Sequence, residues 1–254
     1  MSFVKSDPDA RPQFFEWEAA GLDWLREARG GAACVDVLAV SSERIELEEV
    51  RSVRPTAEAA RAFGRALART HGAGAEAFGA PPAGWSGPAY IGRRSMPCEP
   101  EMSWGRFYAE QRVRPFLAPA VDAGNLAPDG ARTVERALDR VADGALDDDS
   151  APARIHGDLW TGNVLWSAKG AVLIDPAAHG GHRETDLAML ALFGAPHLDV
   201  ILEGYRDEHP LAAGLKERVP LHQLHPLAVH AAGHGPSYGR ALSEAAARVL
   251  ALTS

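Results

Sequence analysis

The sequence predicts an α+β fold, with strands gathered in the first fifty residues and in one later hairpin, and helices nearly everywhere else. Three observations carry this. Phe3-Val4-Lys5, Cys34 to Val40 and Arg44 to Val50 are strand-prone, and Ile45-Glu46-Leu47-Glu48-Glu49-Val50 alternates as a half-buried strand should. Val164-Leu165-Trp166 and Ala171-Val172-Leu173-Ile174 flank Ser167-Ala168-Lys169-Gly170, which reads as a hairpin loop. From Pro55 onward, helical periodicity dominates.

Composition bounds the rest. The chain has 254 residues, 46% hydrophobic and 24% charged, enough for one large domain or two lobes. No apolar run reaches the length of a membrane span, and Met1 to Gln13 is polar and Pro-punctuated, so neither a membrane protein nor a leader peptide is expected. Cys34 and Cys98 form no disulfide framework and no C-x-x-C, which suits a reducing cytoplasm. A net charge of −8 argues against a nucleic-acid partner.

Taken in order, Phe14 to Ala28 reads as a helix. Phe15, Glu18, Leu22 and Leu25 share one face, while Glu16, Asp23 and Glu27 lie on the other. Glu18 is the odd member, since a buried carboxylate is costly unless paired. Lys5 is one partner; a rim position with the head in water is the other reading, and the wheel does not choose. Thr56 is an N-cap, with Glu58 in the first turn of a helix that ends near His71-Gly72; Ala59, Phe63, Ala66, Leu67 and Thr70 form its inner stripe. Phe78 to Gly105 is Gly- and Pro-rich loop, and Trp104, Phe107, Tyr108, Val113 and Leu117 continue as a packed helix. A further helix covers Gly130 to Val141, Asp147-Asp148-Asp149 is a solvated loop, and helices follow over Arg183 to Phe193 and Ser237 to Leu252. His222, His225, His230 and His234 invite a zinc reading, but there is no H-E-x-x-H and Pro226 interrupts the spacing, so helix-face histidines are expected.

The chemistry concentrates in His156-Gly157-Asp158-Leu159-Trp160-Thr161-Gly162-Asn163. An Asp followed five positions later by an Asn has the spacing of the kinase loop H-R-D-x-x-x-x-N, in which the Asp accepts a hydroxyl proton and the Asn holds a metal. Gly157 stands where that motif has Arg. Folding the chain about residues 167–170 sets Asn163 nearly opposite Ile174 and Asp175, so an amide oxygen and a carboxylate converge beside Asp158. Hard oxygens of this kind suit Mg²⁺.

At these residues the chain resembles the fructosamine kinase (ketosamine 3-kinase) family. The resemblance rests on HGDLW-x-GNVLW, on Leu173-Ile174-Asp175-Pro176-Ala177-Ala178, and on Gly180-Gly181-His182-Arg183-Glu184-x-Asp186-Leu187-Ala188-Met189. An F-x-x-E-A-x-G-L pattern at Phe15, Glu18, Ala19, Gly21 and Leu22 joins them. The family is part of the protein-kinase-like superfamily that also holds aminoglycoside and choline kinases. The resemblance implies a two-lobed protein-kinase-like fold, with a reduced N-terminal lobe (residues 1–50) and a mostly helical C-terminal lobe (51–254). It implies ATP and Mg²⁺, with Asp158 as proton acceptor and Asn163 and Asp175 as metal ligands. It favours Lys5 braced by Glu18 against the phosphates, and places adenine on the Glu48 carbonyl and the Val50 N–H. Trp160 would wall the sugar, His182 and Arg183 would lie near the acceptor or phosphate, and His156 and Asp186 would support the loop. The implied acceptor is a ketosamine such as a fructosamine or ribulosamine, free or as a glycated protein amine. The alternatives are a kinase of the aminoglycoside or choline type and a nucleotide-binding pseudokinase. The departure from the pattern is the Gly-rich hairpin that usually precedes the strand lysine; here only Met1 to Val4 precede Lys5.

Overall fold

The computed structural model describes residues 1–253. Strand β1 (Ser2–Ser6) leads to helix α1 (Phe14–Arg26), followed by short strand β2 (Ala33–Cys34) and strands β3 (Val37–Ser41) and β4 (Arg44–Glu48). β1, β4 and β3 make an antiparallel sheet with β4 in the middle, and Lys5 lies across from Ile45. The alternation along β4 is real: Ile45 and Leu47 are buried beneath the sheet.

The run from Cys34 to Val40 is not one strand. β2 leaves the first sheet and pairs in parallel with β9 (Gly170–Leu173), the second strand of the hairpin that begins with β8 (Val164–Ser167). The Val35 N–H continues that ladder onto the Leu173 carbonyl at 3.0 Å. The backbone switches sheets between positions 34 and 37, which stitches the N-terminal region to the hairpin.

Helix α2 (Ala57–Gly72) starts as expected, the Thr56 hydroxyl accepting the Ala59 N–H at 3.1 Å. Phe63, Leu67 and Thr70 point inward. The stretch 78–105 is mostly loop but holds a small hairpin, β5 (Tyr90–Ile91) and β6 (Arg94–Ser95). Beyond it, α3 (Trp104–Phe107) widens into a π turn over Tyr108–Val113 and tightens over Arg114–Phe116 before α4 (Leu117–Asp122). Pro115 supplies no N–H and its ring crowds the carbonyl four residues back, so a regular helix cannot run through.

Next come α5 (Pro128–Ala142), β7 (Ala153–Ile155), the β8–β9 hairpin and β10 (His179–Gly181). Last come α6 (Arg183–Leu192), α7 (Leu198–Glu208), α8 (Leu215–Ala231) and α9 (Pro236–Leu252). α7 has no counterpart among the sequence expectations. The Asp147–Asp149 loop is less free than its composition suggests. Asp147 accepts the Gly105 N–H at 2.9 Å, and Asp148 meets His182 Nε2 at 3.3 Å.

Two apolar cores result, each fully buried large side chain contributing roughly 1.5–3 kcal/mol. One joins Phe15, Leu22, Leu25, Ile45 and Leu47 to Phe63, Leu67, Leu159, Leu173, Leu187 and Tyr205. The other gathers Phe107, Tyr108, Val113, Leu138, Leu221, Leu242 and Val249, and includes Trp17. α1 therefore serves both cores, and its polar Glu18 lines a cavity together with Lys5. The result is a two-lobed kinase-like α+β fold with a small sheet-and-helix lobe and a mostly helical remainder. No helix among the described residues is long and apolar enough to cross a membrane.

Candidate active site

β7 and β10 pair antiparallel, so the loop from His156 to Ala178 leaves and re-enters the structure at one place. Within it the hairpin registers Val164 against Leu173, and the Ile174 N–H donates to the Asn163 carbonyl at 3.1 Å. Asn163 thus lies across from Ile174 and beside Asp175, as the spacing predicts. Asn163 Nδ2 donates to the Asp158 backbone carbonyl at 2.8 Å and to its Oδ2 at 3.2 Å. These bonds leave Asn163 Oδ1 for another partner.

The loop's shape depends on Gly157. Its φ is +79°, a left-handed value that side chains disfavour, and a Cβ there would run into the Ala177 carbonyl. An arginine at this position would not fit. Burial pulls the His156 ring below its usual pKa. The neutral ring donates from Nε2 to the Ile174 carbonyl at 2.9 Å and accepts the Asp158 N–H at Nδ1, at 3.2 Å. Asp186, fully buried at the start of α6, accepts the N–H groups of His156 at 2.8 Å and Gly157 at 3.0 Å. His71 Nε2 approaches Asp186 at 3.1 Å, while its Nδ1 meets the Tyr205 hydroxyl at 2.8 Å. Burial alone would raise Asp186, but the His71 bond and charge and the loop N–H groups hold it below the usual carboxylate range.

Asp158 is in the opposite situation. It keeps one face open to a cavity, yet the protein packed around it pushes its carboxyl up to about 7, against the pull of the Asn163 bond. Lys5 bridges the approach, its Nζ 2.7 Å from Glu18 Oε1 and also bonded to Asp175 Oδ1. The strand-lysine to helix-glutamate pair is therefore formed. Burial opposes the Lys5 charge, but the Glu18 and Asp175 carboxylates hold its pKa above the usual value. Burial pushes Glu18 up, with Lys5 pulling back. Gly21, one turn along α1, lets the helix close on the loop: a Cβ there would sit 3.1 Å from Pro176 and 3.3 Å from Ala178. That approach brings Glu18 within reach of the lysine beside Asp175.

Asp158 and Trp160 line two neighbouring cavities. The first, about 320 Å³, also holds Lys5, Glu18, Asn163 and Asp175, with Trp17, Tyr90 and Pro176 as apolar walls. The second, about 540 Å³, extends to Arg94, His230 and His234. Trp160 is 37% exposed and packs edge-on against Phe193, centroids 5.8 Å apart.

Four expected site residues line neither cavity. Glu48 ends β4 and Val50 packs on the first core; neither lines these cavities. His182 caps α6, its Nδ1 accepting the Glu184 N–H at 3.2 Å, and its ring stacks on His222 with centroids 4.6 Å apart. Arg183 reaches the Tyr205 hydroxyl at 3.3 Å. His182, Glu184 and His222 bring potential ligand atoms within 4.8 Å of one another. Arg218 already grips both Glu184 oxygens, at 2.6 and 2.8 Å, so a guanidinium neutralises that carboxylate. Sequence reasoning missed His71 and Tyr205 behind the loop and the arginines around the second cavity. His71 reads as one more residue at the end of α2, and nothing local points to a partner 115 positions away.

The fructosamine kinase family model matches residues 1–252. The chain belongs to the fructosamine kinase family. A protein of Enterococcus faecium assigned as a ketoamine kinase is 30% identical over 240 residues, covering 93% of this chain and 83% of its own length. A crystal structure from Thermobifida fusca assigned as a fructosamine-3-kinase superposes with a TM-score of 0.91 at 49% identity, over 98% of this chain and 85% of that one. A gentamicin-bound aminoglycoside phosphotransferase shares the fold alone, with a TM-score of 0.61 at 12% identity over 98% of this chain and 84% of its own. As a fructosamine kinase family member, the chain is a phosphotransferase acting on a sugar hydroxyl.

Proposed function

We propose that the chain transfers the γ-phosphoryl group of MgATP to a hydroxyl of a ketosamine, with Asp158 as proton acceptor. The observation that carries this is Asp158 itself: a carboxyl raised to about 7, held by Asn163 and lining both cavities. A base poised near the working pH takes a hydroxyl proton with the least waste of driving force. As the acceptor oxygen bonds to phosphorus and the bond to ADP breaks, the hydroxyl proton passes to Asp158. The transferred group carries its charge on peripheral oxygens, so the remaining residues serve position and charge.

Asn163 Oδ1 and the Asp175 carboxylate are hard donors facing one cavity, and Asp175 is 41% exposed at its side chain, so the donor set fits Mg²⁺. Bound there, the ion would neutralise phosphate charge. Lys5 gives the phosphates a cation whose position Glu18 fixes. Trp160 walls the acceptor, and the backbone at Glu48, the last residue of the central strand, and at Val50 takes the adenine edge. The two thiols are free, in keeping with a reducing cytoplasm.

The test is ATP-dependent phosphorylation of ketosamines compared with choline and aminoglycosides, followed by ADP release and phosphorus NMR of the product. Transfer to ketosamines, abolished by removing Mg²⁺, is expected. Transfer only to choline or an aminoglycoside, or none to any acceptor, overturns the reading.

A further inference from the structure

The second cavity has a charge opposite to that of the molecule. The chain carries a net −8, yet beyond Asp158 this space is lined by Arg11, Arg93 and Arg94, together with His230 and His234. Arg93 is neutralised, its Nη2 3.0 Å from Asp7 Oδ2. Arg11 and Arg94 are not: Arg11 donates to the Ser95 hydroxyl at 2.7 Å and Arg94 to the Ala232 carbonyl at 2.6 Å. Among the described residues, neither has a carboxylate within ion-pair distance. Each of those bonds uses one of a guanidinium's five N–H donors and positions the rest. His230 Nδ1 donates to the Pro226 carbonyl at 2.7 Å, and burial lowers its pKa, so this ring is neutral. In an acidic protein with 34 carboxylates, two such arginines at the mouth of a site cavity need a reason.

We propose that this cavity is an anion-recognising subsite, and that the preferred ketosamine carries an anionic group remote from the reacting hydroxyl. The anion is a carboxylate on the amine moiety, as in a glycated free amino acid, or a phosphate at the far end of the sugar. Arg94 and Arg11 receive it through charge-assisted, fork-shaped hydrogen bonds. The substrate class this favours is small and carries an anion in addition to its ammonium group, rather than the purely cationic amine that the net charge alone would suggest. The inference rests on the proposed ketosamine reaction and refines its acceptor.

The experiment uses the full chain and three acceptors: fructosyl-glycine, fructosyl-glycinamide, in which a neutral amide replaces the carboxylate, and the 6-phosphate of fructosyl-glycinamide. Calorimetric titration without nucleotide and turnover with MgATP are both measured. At least one anionic adduct should bind about tenfold or more tighter than the neutral one, the effect of one hydrogen bond to a charged group. Whichever anion wins identifies the source. The anionic-to-neutral ratio should collapse toward one in Arg94→Gln and in Arg11→Gln, and recover partly in Arg94→Lys. Equal binding and turnover of all three acceptors by the unmodified protein overturns the subsite and leaves the ketosamine reaction standing. Turnover with none of them overturns the proposed function, and the absence of binding by all three overturns both.

Discussion

The front and the back of the Asp158 loop are built from the same materials and behave oppositely. Behind it, Asp186 has no exposure but receives two backbone N–H groups and a histidine, and its pKa falls. In front, Asp158 is packed on most sides but keeps one face open to the cavities, accepts one amide bond at its side chain, and its pKa climbs to about 7. Burial penalises both charges; the number of donors decides which way each carboxyl moves. A buried acid with enough donors stays ionised, and one with too few holds its proton to higher pH. His156 couples the sides, since its backbone N–H serves Asp186 while its ring receives the N–H of Asp158.

Removing the proposed base has the largest expected effect. Asp158→Asn should lower kcat by about 10²–10⁴-fold while MgATP still binds. The same variant should be more stable than the parent at pH 8, because an uncharged amide spares the cost of burying an ionised group with one donor. Rapid-quench turnover and thermal melts measure the two effects, and an active or destabilised variant would break the contrast.

Asp186→Asn should do the reverse. It places an amide where three donors converge, at a cost of about 3–5 kcal/mol as for other broken buried charge networks. Chemical denaturation should show that loss, with folded molecules at low temperature retaining MgATP binding. Stability equal to the parent's would mean that Asp186 is not the loop's anchor.

The smallest effect is the pH profile. kcat/KM should fall about tenfold per unit below the Asp158 pKa of about 7 and level off above it. Because the folded-state pKa lies above the unfolded one, the folded protein holds an extra proton between them. The Asp158 contribution to stability therefore declines as pH rises from about 4 to about 7 and is flat beyond. Melts across that window in the parent and in Asp158→Asn should differ in slope; identical slopes would place the titration elsewhere.

Much of this site was legible because its residues are neighbours in the chain. The His156–Asn163 spacing, the hairpin about residues 167–170 and the strand ending on Asp175 together forecast where Asp158, Asn163 and Asp175 would meet, and the register agrees. The wheel of α1 marked Glu18 as a carboxylate needing a cation, and Lys5 answers it. Other expectations failed for want of context. Cys34 to Val40 has strand composition throughout, but only the hairpin's free edge explains why its first residues pair with β9. His182 looks as exposed to function as any histidine beside glycines, yet it caps a helix and is buried.

By itself, then, the sequence determined periodicity, caps, turns and a compact loop around Asp158, all of which depend on residues within one element or one hairpin. Tertiary structure alone decided that Lys5 reaches Asp175 across 170 positions, that His71 and Tyr205 stand behind Asp186, and that arginines from two loops face one cavity. The physical reason is that local backbone preference is written in adjacent residues. Desolvation, charge pairing and donor counts depend on which distant surfaces the two cores bring together, and those quantities raise the pKa of one aspartate and lower that of another.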